Sequence, residues 1–441
     1  MKPKSAFLYG SAILTAGACG AKLLGAVFKI PLARLLGPEG AGHFGVTYSI
    51  YLLVLNGAAA GMPLAMSRLI CAAEPRREGS LVRTGLLLYG GIGCLWGGAM
   101  LLLAQPLADW MRDPDAVHGI RVLAPAVVFT CVGSAFRGYF QGHQQMAPTA
   151  AVQLLEAMCK LLVGLAAAAL ALRAGWDLPR TAGASVLGVT VGAGLGAWYL
   201  LVRYRSEAVG AGVFSLQAAR SILGLAVPIT LGNVAAQAVN ALAGRVILGQ
   251  LQDALGYDAD GASTLYGIYT MAQTLYLLPP ALVQPMTVSI IPAVTGALAR
   301  KDLREAHRKE RLALVLGSIA ALGAGTGLSV LACPIQQLLY GYDGGTLAVA
   351  GPVLAVLGPA SGLHCMVLVT NAILQARGRA GPAAWSAVLG GAVQLTLTHV
   401  LTGQSRFGIL GAAFGTLGWG VTVLGCNGLF LIHLMRQEEK K

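Results

Sequence analysis

The chain has 441 residues, of which 56% are hydrophobic and only 11% charged, and its mean hydropathy is +0.69. Soluble domains carry about 25% charged residues, so this composition excludes a water-soluble globule and points to an integral membrane protein. The net charge of +13 then belongs to the loops that orient membrane spans and not to a nucleic-acid surface.

Long apolar runs without the alternation of a β-barrel read as helices, which pair every backbone group internally in lipid. A span needs about 20 apolar residues, and twelve such runs succeed one another. Met1-Lys-Pro-Lys4 and the apolar stretch behind it imitate a signal peptide. The run continues past Ala16-Gly17-Ala18-Cys19, however, and reads as an uncleaved first span over 8–36. Lys22 and Lys29 share one face of it, with Gly25 between them. The second span, 42–72, carries Pro63 and, near its end, Arg68. Spans come next at 82–105 and 118–140, joined by a segment whose Asp113 and Asp115 read as a solvated loop. The fifth, 148–172, sets Glu156 one turn before Lys160, the favourable orientation for an i, i+4 pair, with Gln153 on the same stripe. We read Glu156 and Lys160 as a structural or coupling ion pair. After the sixth span, 181–202, the stretch 206–220 reads as a linker between an N-terminal lobe, 1–205, and a C-terminal lobe, 221–441.

The seventh span, 219–250, carries Asn233, Gln237, Asn240 and Arg245. An eighth span, 263–297, leads into a basic loop with Arg300, Lys301, Arg304, Arg308, Lys309 and Arg311. Spans at 312–336, 345–375, 382–402 and 407–435 complete the chain, and the tenth holds His364, Asn371 and Gln375. Prolines 31, 63, 228, 279, 280, 285 and 292 predict kinked helices. The polar stripes read either as interhelical hydrogen bonds or as the lining of an aqueous cavity.

Lys and Arg, including Arg137, concentrate in the segments on the N-terminal side of an even number of spans. Both termini are therefore expected in the cytoplasm of a bacterial cell, the chain spanning its cytoplasmic membrane. The second and eighth spans align at one constant offset, which places Gly45 on Gly267, Leu53 on Leu275, Pro63 on Pro285 and Ser67 on Ser289. Gln141 likewise matches Gln375, and Pro148 matches Pro382. The fold class expected is an all-α membrane protein of about twelve helices in two pseudo-symmetric six-helix lobes, a parallel repeat with a central site.

Five cations fall inside spans: Lys22, Lys29, Arg68, Lys160 and Arg245. Each costs about 2.5–3.5 kcal/mol at mid-membrane on insertion scales, so a cavity or a partner is expected. Lys22, Lys29, Arg68 and Arg245 are the candidate substrate-binding residues, with snorkelling to an interface the competing account for Lys29 and Arg68. An exporter of organic cations needs buried carboxylates, and Glu156 alone is deep. A carrier of an anionic headgroup needs fixed cations in a low dielectric, so the balance of sign favours an anion. A multidrug or organic-cation antiporter through Glu156 is the alternative. An enzyme is disfavoured, since no GxSxG-type arrangement is present. The eight Cys form no CxxC pair and the seven His no HxxxH spacing, so no metal or cofactor is expected; energy would come from an ion gradient or the membrane potential. The protein is expected to be a monomer among membrane lipids.

The run Phe28-Lys-Ile-Pro-Leu-Ala-Arg-Leu-Leu-Gly-Pro-Glu-Gly-Ala-Gly42, then Gly61-Met-Pro-Leu-Ala-Met-Ser-Arg68, resembles the start of the stage V sporulation protein B family. So do Phe136-Arg-Gly-Tyr-Phe-Gln-Gly142 and Met146-Ala-Pro-Thr149. That family belongs to the multidrug/oligosaccharidyl-lipid/polysaccharide flippase superfamily and is similar to the lipid II flippases. The resemblance implies a MATE-like V-shaped pair of lobes, alternating access, and a lipid-linked glycan precursor as cargo. It also implies that cations of helices 1 and 2, where Lys22, Lys29 and Arg68 lie, bind the lipid pyrophosphate. Two departures are visible: no further pair of helices comes after the twelfth span to seat the lipid tail, and no deep carboxylate marks a cation site in the second lobe.

Overall fold

The computed structural model describes residues 3–207, 212–300 and 302–439. Part of the expected linker, 208–211, lies outside the described residues, as do Lys2, Lys301, Lys440 and Lys441. Among the described residues the only regular elements are helices. Eleven stretches are long and apolar enough to cross a membrane, and the first of them, Ile13–Cys71, is 59 residues long.

That first stretch is two helices. Gly37 has φ 65° and ψ −175° inside an otherwise helical run, a conformation open essentially to glycine alone, and Pro38 comes directly after it. Phe28 and Phe44 would stand about 24 Å apart along one straight helix, yet their ring centroids are 5.9 Å apart. The chain therefore folds back at Gly37, giving α1 over 3–36 and α2 over 38–71, and twelve membrane helices among the described residues. The others are α3 (Arg76–Leu102), α4 (Val117–Gly142), α5 (Ala147–Arg173), α6 (Leu178–Ser206), α7 (Leu216–Gly249), α8 (Ala259–Ala299), α9 (Leu303–Val330), α10 (Gly344–Ala376), α11 (Gly381–Thr402) and α12 (Leu410–Leu434).

Several helices are interrupted, each for a local reason. α2 breaks just before Met62-Pro63. α8 breaks at Leu277, ahead of Pro279-Pro280, while Pro285, the repeat partner of Pro63, sits inside the helical segment after the break. Two differences from the expected spans concern α9. The basic segment 300–311 is not a loop beyond Asp302: the Asp302 carboxylate caps α9 by accepting the Glu305 N–H at 2.8 Å, so Arg304, Arg308, Lys309 and Arg311 ride on its first turns. At its other end α9 stops at Val330, and the chain turns at Leu331 into a separate helix, Ala332–Tyr340.

The chain packs as two compact units, 1–244 and 245–441. In the first, Phe28, Leu32, Phe44, Ile50, Phe136 and Phe140 are fully buried, while Leu95, Leu102, Leu170 and Trp198 face outward, the arrangement lipid solvent favours. The division falls inside α7, whose earlier turns belong to the first unit. There the Gly61 N–H, at the break in α2, donates to Thr230 Oγ1 at 3.0 Å. Glycines let α6 approach α5 closely. A Cβ on Gly188 would stand 2.7 Å from the Cys159 carbonyl oxygen, and one on Gly192 would stand 3.1 Å from the Glu156 Cα. The Glu156 side chain runs along α6 as well: a Cβ on Gly196 would stand 3.3 Å from its Oε1.

Candidate functional site

The charged residues of α5 do not pair with each other. Arg137 on α4 donates from Nη2 to Glu156 Oε1, with the two side chains 17% and 30% exposed. Arg137 thus lies within the helix bundle, five residues from the end of α4, and Glu156 pairs with it instead of with Lys160. A planar guanidinium matches a carboxylate better than an ammonium does, and α4 brings it from a neighbouring helix.

Lys160 is turned instead into an aromatic sleeve built by the α1–α2 hairpin. Its Nζ lies 4.1 Å from the ring centroid of Tyr48, 5.2 Å from that of Phe28 and 5.7 Å from that of Phe44. The rings brace one another: Phe44 stacks on Tyr48 at 5.6 Å and 10°, and Tyr51 continues the row at 5.8 Å. Cation–π contacts of this kind contribute about 0.5–2 kcal/mol, so they offset part of the cost of a cation in the span. Lys29 is the next residue of α1 after Phe28, whose ring Lys160 faces. Lys29, Tyr48 and Lys160 are half-buried, whereas Phe28 and Phe44 are sealed. Arg137 and Glu156 neutralise each other, and Lys160 is a cation held against aromatic faces.

The other candidate residues lie elsewhere. Lys22 is exposed on the face of α1 that carries Lys29, about 10 Å further from the turn. Arg68 is exposed on α2, about 46 Å along the chain from Gly37 against about 12 Å for Lys29, hence at the opposite end of the hairpin. Arg245, half-buried, opens the second unit. Asn233 and Asn240 are exposed and donate to carbonyls of their own helix, Ile229 at 3.0 Å and Ala236 at 3.4 Å, so they do not join helices. Gln237 is half-buried and Gln375 exposed.

A network of neutral side chains joins helices of the second unit. Asn427, fully buried, donates to Asn371 Oδ1 at 2.8 Å and Thr370 Oγ1 at 3.1 Å and accepts from Ser386 Oγ at 2.7 Å. Asn371 therefore belongs to a network joining α10, α11 and α12. The Tyr276 hydroxyl meets His364 Nδ1 at 2.8 Å, and His364 abuts the edge of Trp419 at 5.0 Å.

Two buried ion pairs were not visible in the sequence. Arg377 grips Glu310 with two hydrogen bonds of 2.7 Å, both side chains below 10% exposure, so the second half does hold a buried carboxylate, neutralised. Asp113, expected in a solvated loop, is instead only 1% exposed, and both its oxygens accept from His43 Nδ1 at 2.8–2.9 Å. Neither carries a sequence signal, because each joins residues 67–70 positions apart.

Twelve apolar helices, with Lys160 held against aromatic rings and Arg137 and Arg377 matched to carboxylates, define a multi-pass protein of the cell membrane with a transporter fold. The chain belongs to the polysaccharide biosynthesis protein family, whose pattern matches residues 7–297. It is 26% identical over 432 residues to stage V sporulation protein B of Bacillus subtilis (strain 168), covering 93% of this chain and 80% of that one. Over 449 residues it is 24% identical to the lipid II flippase MurJ of the same organism, again covering 93% and 80%. Among solved structures, an inward-facing multidrug resistance MATE family transporter of the MOP superfamily superposes with TM-score 0.76 at 15% identity, covering 97% of this chain and 95% of that one. MurJ in an inward closed conformation superposes with TM-score 0.76 at 13% identity, covering 96% and 87%.

Proposed function

We propose that the protein is a flippase that carries a polyprenyl-pyrophosphate-linked glycan or peptidoglycan precursor across the cell membrane by alternating access. The observation that carries this reading is the sign of the charge inside the first unit. Glu156, the deep carboxylate an organic-cation exporter would use, is committed to Arg137, while Lys22, Lys29 and Lys160 supply positive charge along α1 and α5. Fixed cations in a low dielectric attract a phosphate headgroup strongly, and the polyprenyl tail can remain in lipid while the headgroup crosses. Membership of a polysaccharide biosynthesis family and similarity to a lipid II flippase support the same cargo class.

The test uses proteoliposomes containing a fluorescent polyprenyl-pyrophosphate sugar and a membrane-impermeant quencher. Wild-type protein is expected to expose inner-leaflet headgroups, and Lys22→Ala, which removes an exposed cation without touching the core, is expected to lose at least about tenfold in rate. Folded, inserted protein that exposes no headgroup would sink the proposal. Export of an organic cation abolished by Glu156→Gln but unaffected by Lys22→Ala would establish the antiporter instead.

A further inference from the structure

The imidazole of His43 is only 1% exposed, and one of its two nitrogens is bonded. Nδ1 donates to the Asp113 carboxylate, whose oxygens stand 2.9 and 2.8 Å away. A carboxylate only accepts, so the ring proton sits on Nδ1 and Nε2 presents a lone pair. Nε2 is buried and has no hydrogen-bond partner among the described residues. A second ring proton would find no acceptor there either, so a doubly protonated imidazole leaves the nitrogen as orphaned as a neutral one.

Glu39 supplies a second observation. It precedes His43 by four residues on α2, and side chains at that spacing share one face of a helix. A carboxylate oxygen of half-buried Glu39 lies within 4.8 Å of a ring nitrogen of His43. A lone pair and a carboxylate are both acceptors and repel each other unless what lies between them is positive or donates to both. A bridging water donates to both but brings no charge, whereas Asp113 and Glu39 set two negative charges beside a neutral ring. A dication supplies that charge and satisfies both acceptors at once. The donor set narrows the ion. Imidazole nitrogen with carboxylate oxygen suits zinc and its neighbours in the first transition row, whereas calcium and magnesium take oxygen ligands. A ligating imidazole held through its other nitrogen by a carboxylate has its tautomer and ring orientation fixed for the metal.

We propose that His43 Nε2 and the Glu39 carboxylate bind one zinc-class divalent cation, with Asp113 as the positioning residue and water completing the coordination. The sequence has no HxxxH pair, but Glu39 and His43 hold the same helical spacing with a carboxylate in place of the first imidazole. Glu39 and His43 stand about 3 and 9 Å along α2 from Gly37, close to the α1–α2 turn, and half-buried Glu39 gives an ion its way in. Thr47, one turn further on, donates from Oγ1 to the Ala116 carbonyl at 3.3 Å. A bound cation therefore reinforces an attachment of α2 to the segment that carries Asp113, and stiffens the hairpin turn. The site does not depend on what the protein carries.

The experiment measures Zn²⁺ binding by calorimetry and Co²⁺ binding by visible absorption, on purified full-length protein in detergent without a polyhistidine tag. Wild type is expected to bind one Zn²⁺ saturably, to show Co²⁺ ligand-field bands, and to gain several degrees in thermal midpoint with Zn²⁺. Glu39→Gln and His43→Gln should each weaken Zn²⁺ at least about tenfold and remove that gain, and Asp113→Asn should weaken it about 10–100-fold. His307→Gln, on α9, should bind like wild type. Should His43→Gln fail to fold, Glu39→Gln, at a half-buried position, still decides the matter. Wild type that binds no Zn²⁺ would overturn the site and leave Nε2 to an ordered water. Unchanged binding in folded Glu39→Gln and His43→Gln would put the ion on other histidines and overturn the site equally. Neither result touches the flippase reading, which rests on cations of α1 and α5.

Discussion

Arg137 and Glu156 show how partner choice is decided between side chains. Lys160, one turn from Glu156 on the same helix, is the nearer candidate in sequence, and the i, i+4 pairing gives about 0.2–0.5 kcal/mol on an isolated helix. Arg137 offers a fork of donors on an adjacent helix and leaves Lys160 to the rings. Removing one partner of a mostly buried charged hydrogen bond costs about 1–3 kcal/mol. We therefore expect Arg137→Met to lower the thermal midpoint in detergent, and Arg137→Met combined with Glu156→Gln to recover much of the loss. A double-mutant cycle with no coupling between the two positions would contradict the pairing. These pairings were the least legible part of the sequence. Asp113 with His43, and Glu310 with Arg377, join residues far apart in the chain, and no local periodicity records such a meeting. Arg137 in particular resembles a loop cation because it stands only five residues from the end of α4.

At the scale of elements the sequence was far more readable. Lipid demands long apolar runs, so the twelve helices were visible as runs, with ends off by a few residues except at α9, where charged residues hid about two and a half helical turns. The first hairpin shows why glycine matters at one place. Gly37 adopts φ 65°, ψ −175°, outside the left-handed helical region that asparagine tolerates. Gly341, which ends the helix Ala332–Tyr340, has φ 71° and ψ 26° and lies within that region. Gly341→Asn is therefore expected to be mild, with a thermal midpoint near wild type, whereas Gly37→Asn should be as harmful as Gly37→Ala, each costing about 1–3 kcal/mol. Equal tolerance at both positions would mean that the α1–α2 turn can form without a glycine.

For the whole molecule, the proposed activity links charge to energy. A headgroup carrying two negative charges, moved out of a cell whose interior is negative, gains about 2.3 kcal/mol per charge for each 100 mV if both charges cross the full field. Proteoliposomes with an imposed potassium diffusion potential should therefore flip faster when the cargo's side is negative, and more slowly when the potential is reversed. A rate indifferent to the sign of the potential would show that charge movement is not the driving force and would turn attention to a coupled ion. The internal repeat, read from matching prolines, carries no information about chemistry, and the division into two compact units falls inside α7 and not between six-helix halves. The first unit gathers an excess of cations beside aromatic rings, and the second matches Arg377 to Glu310 and joins its helices through neutral Asn427.

The order of the helices along the chain has a consequence for how the protein is made. At a synthesis rate of about 5–20 residues per second, the α1–α2 hairpin, with Phe28, Phe44 and Tyr48, leaves the ribosome several seconds before Lys160 does. Arg137 likewise precedes Glu156. When α5 enters the bilayer, the companions for both of its mid-helix charges, Glu156 and Lys160, have already been translated, so these residues can be received by earlier helices as they arrive.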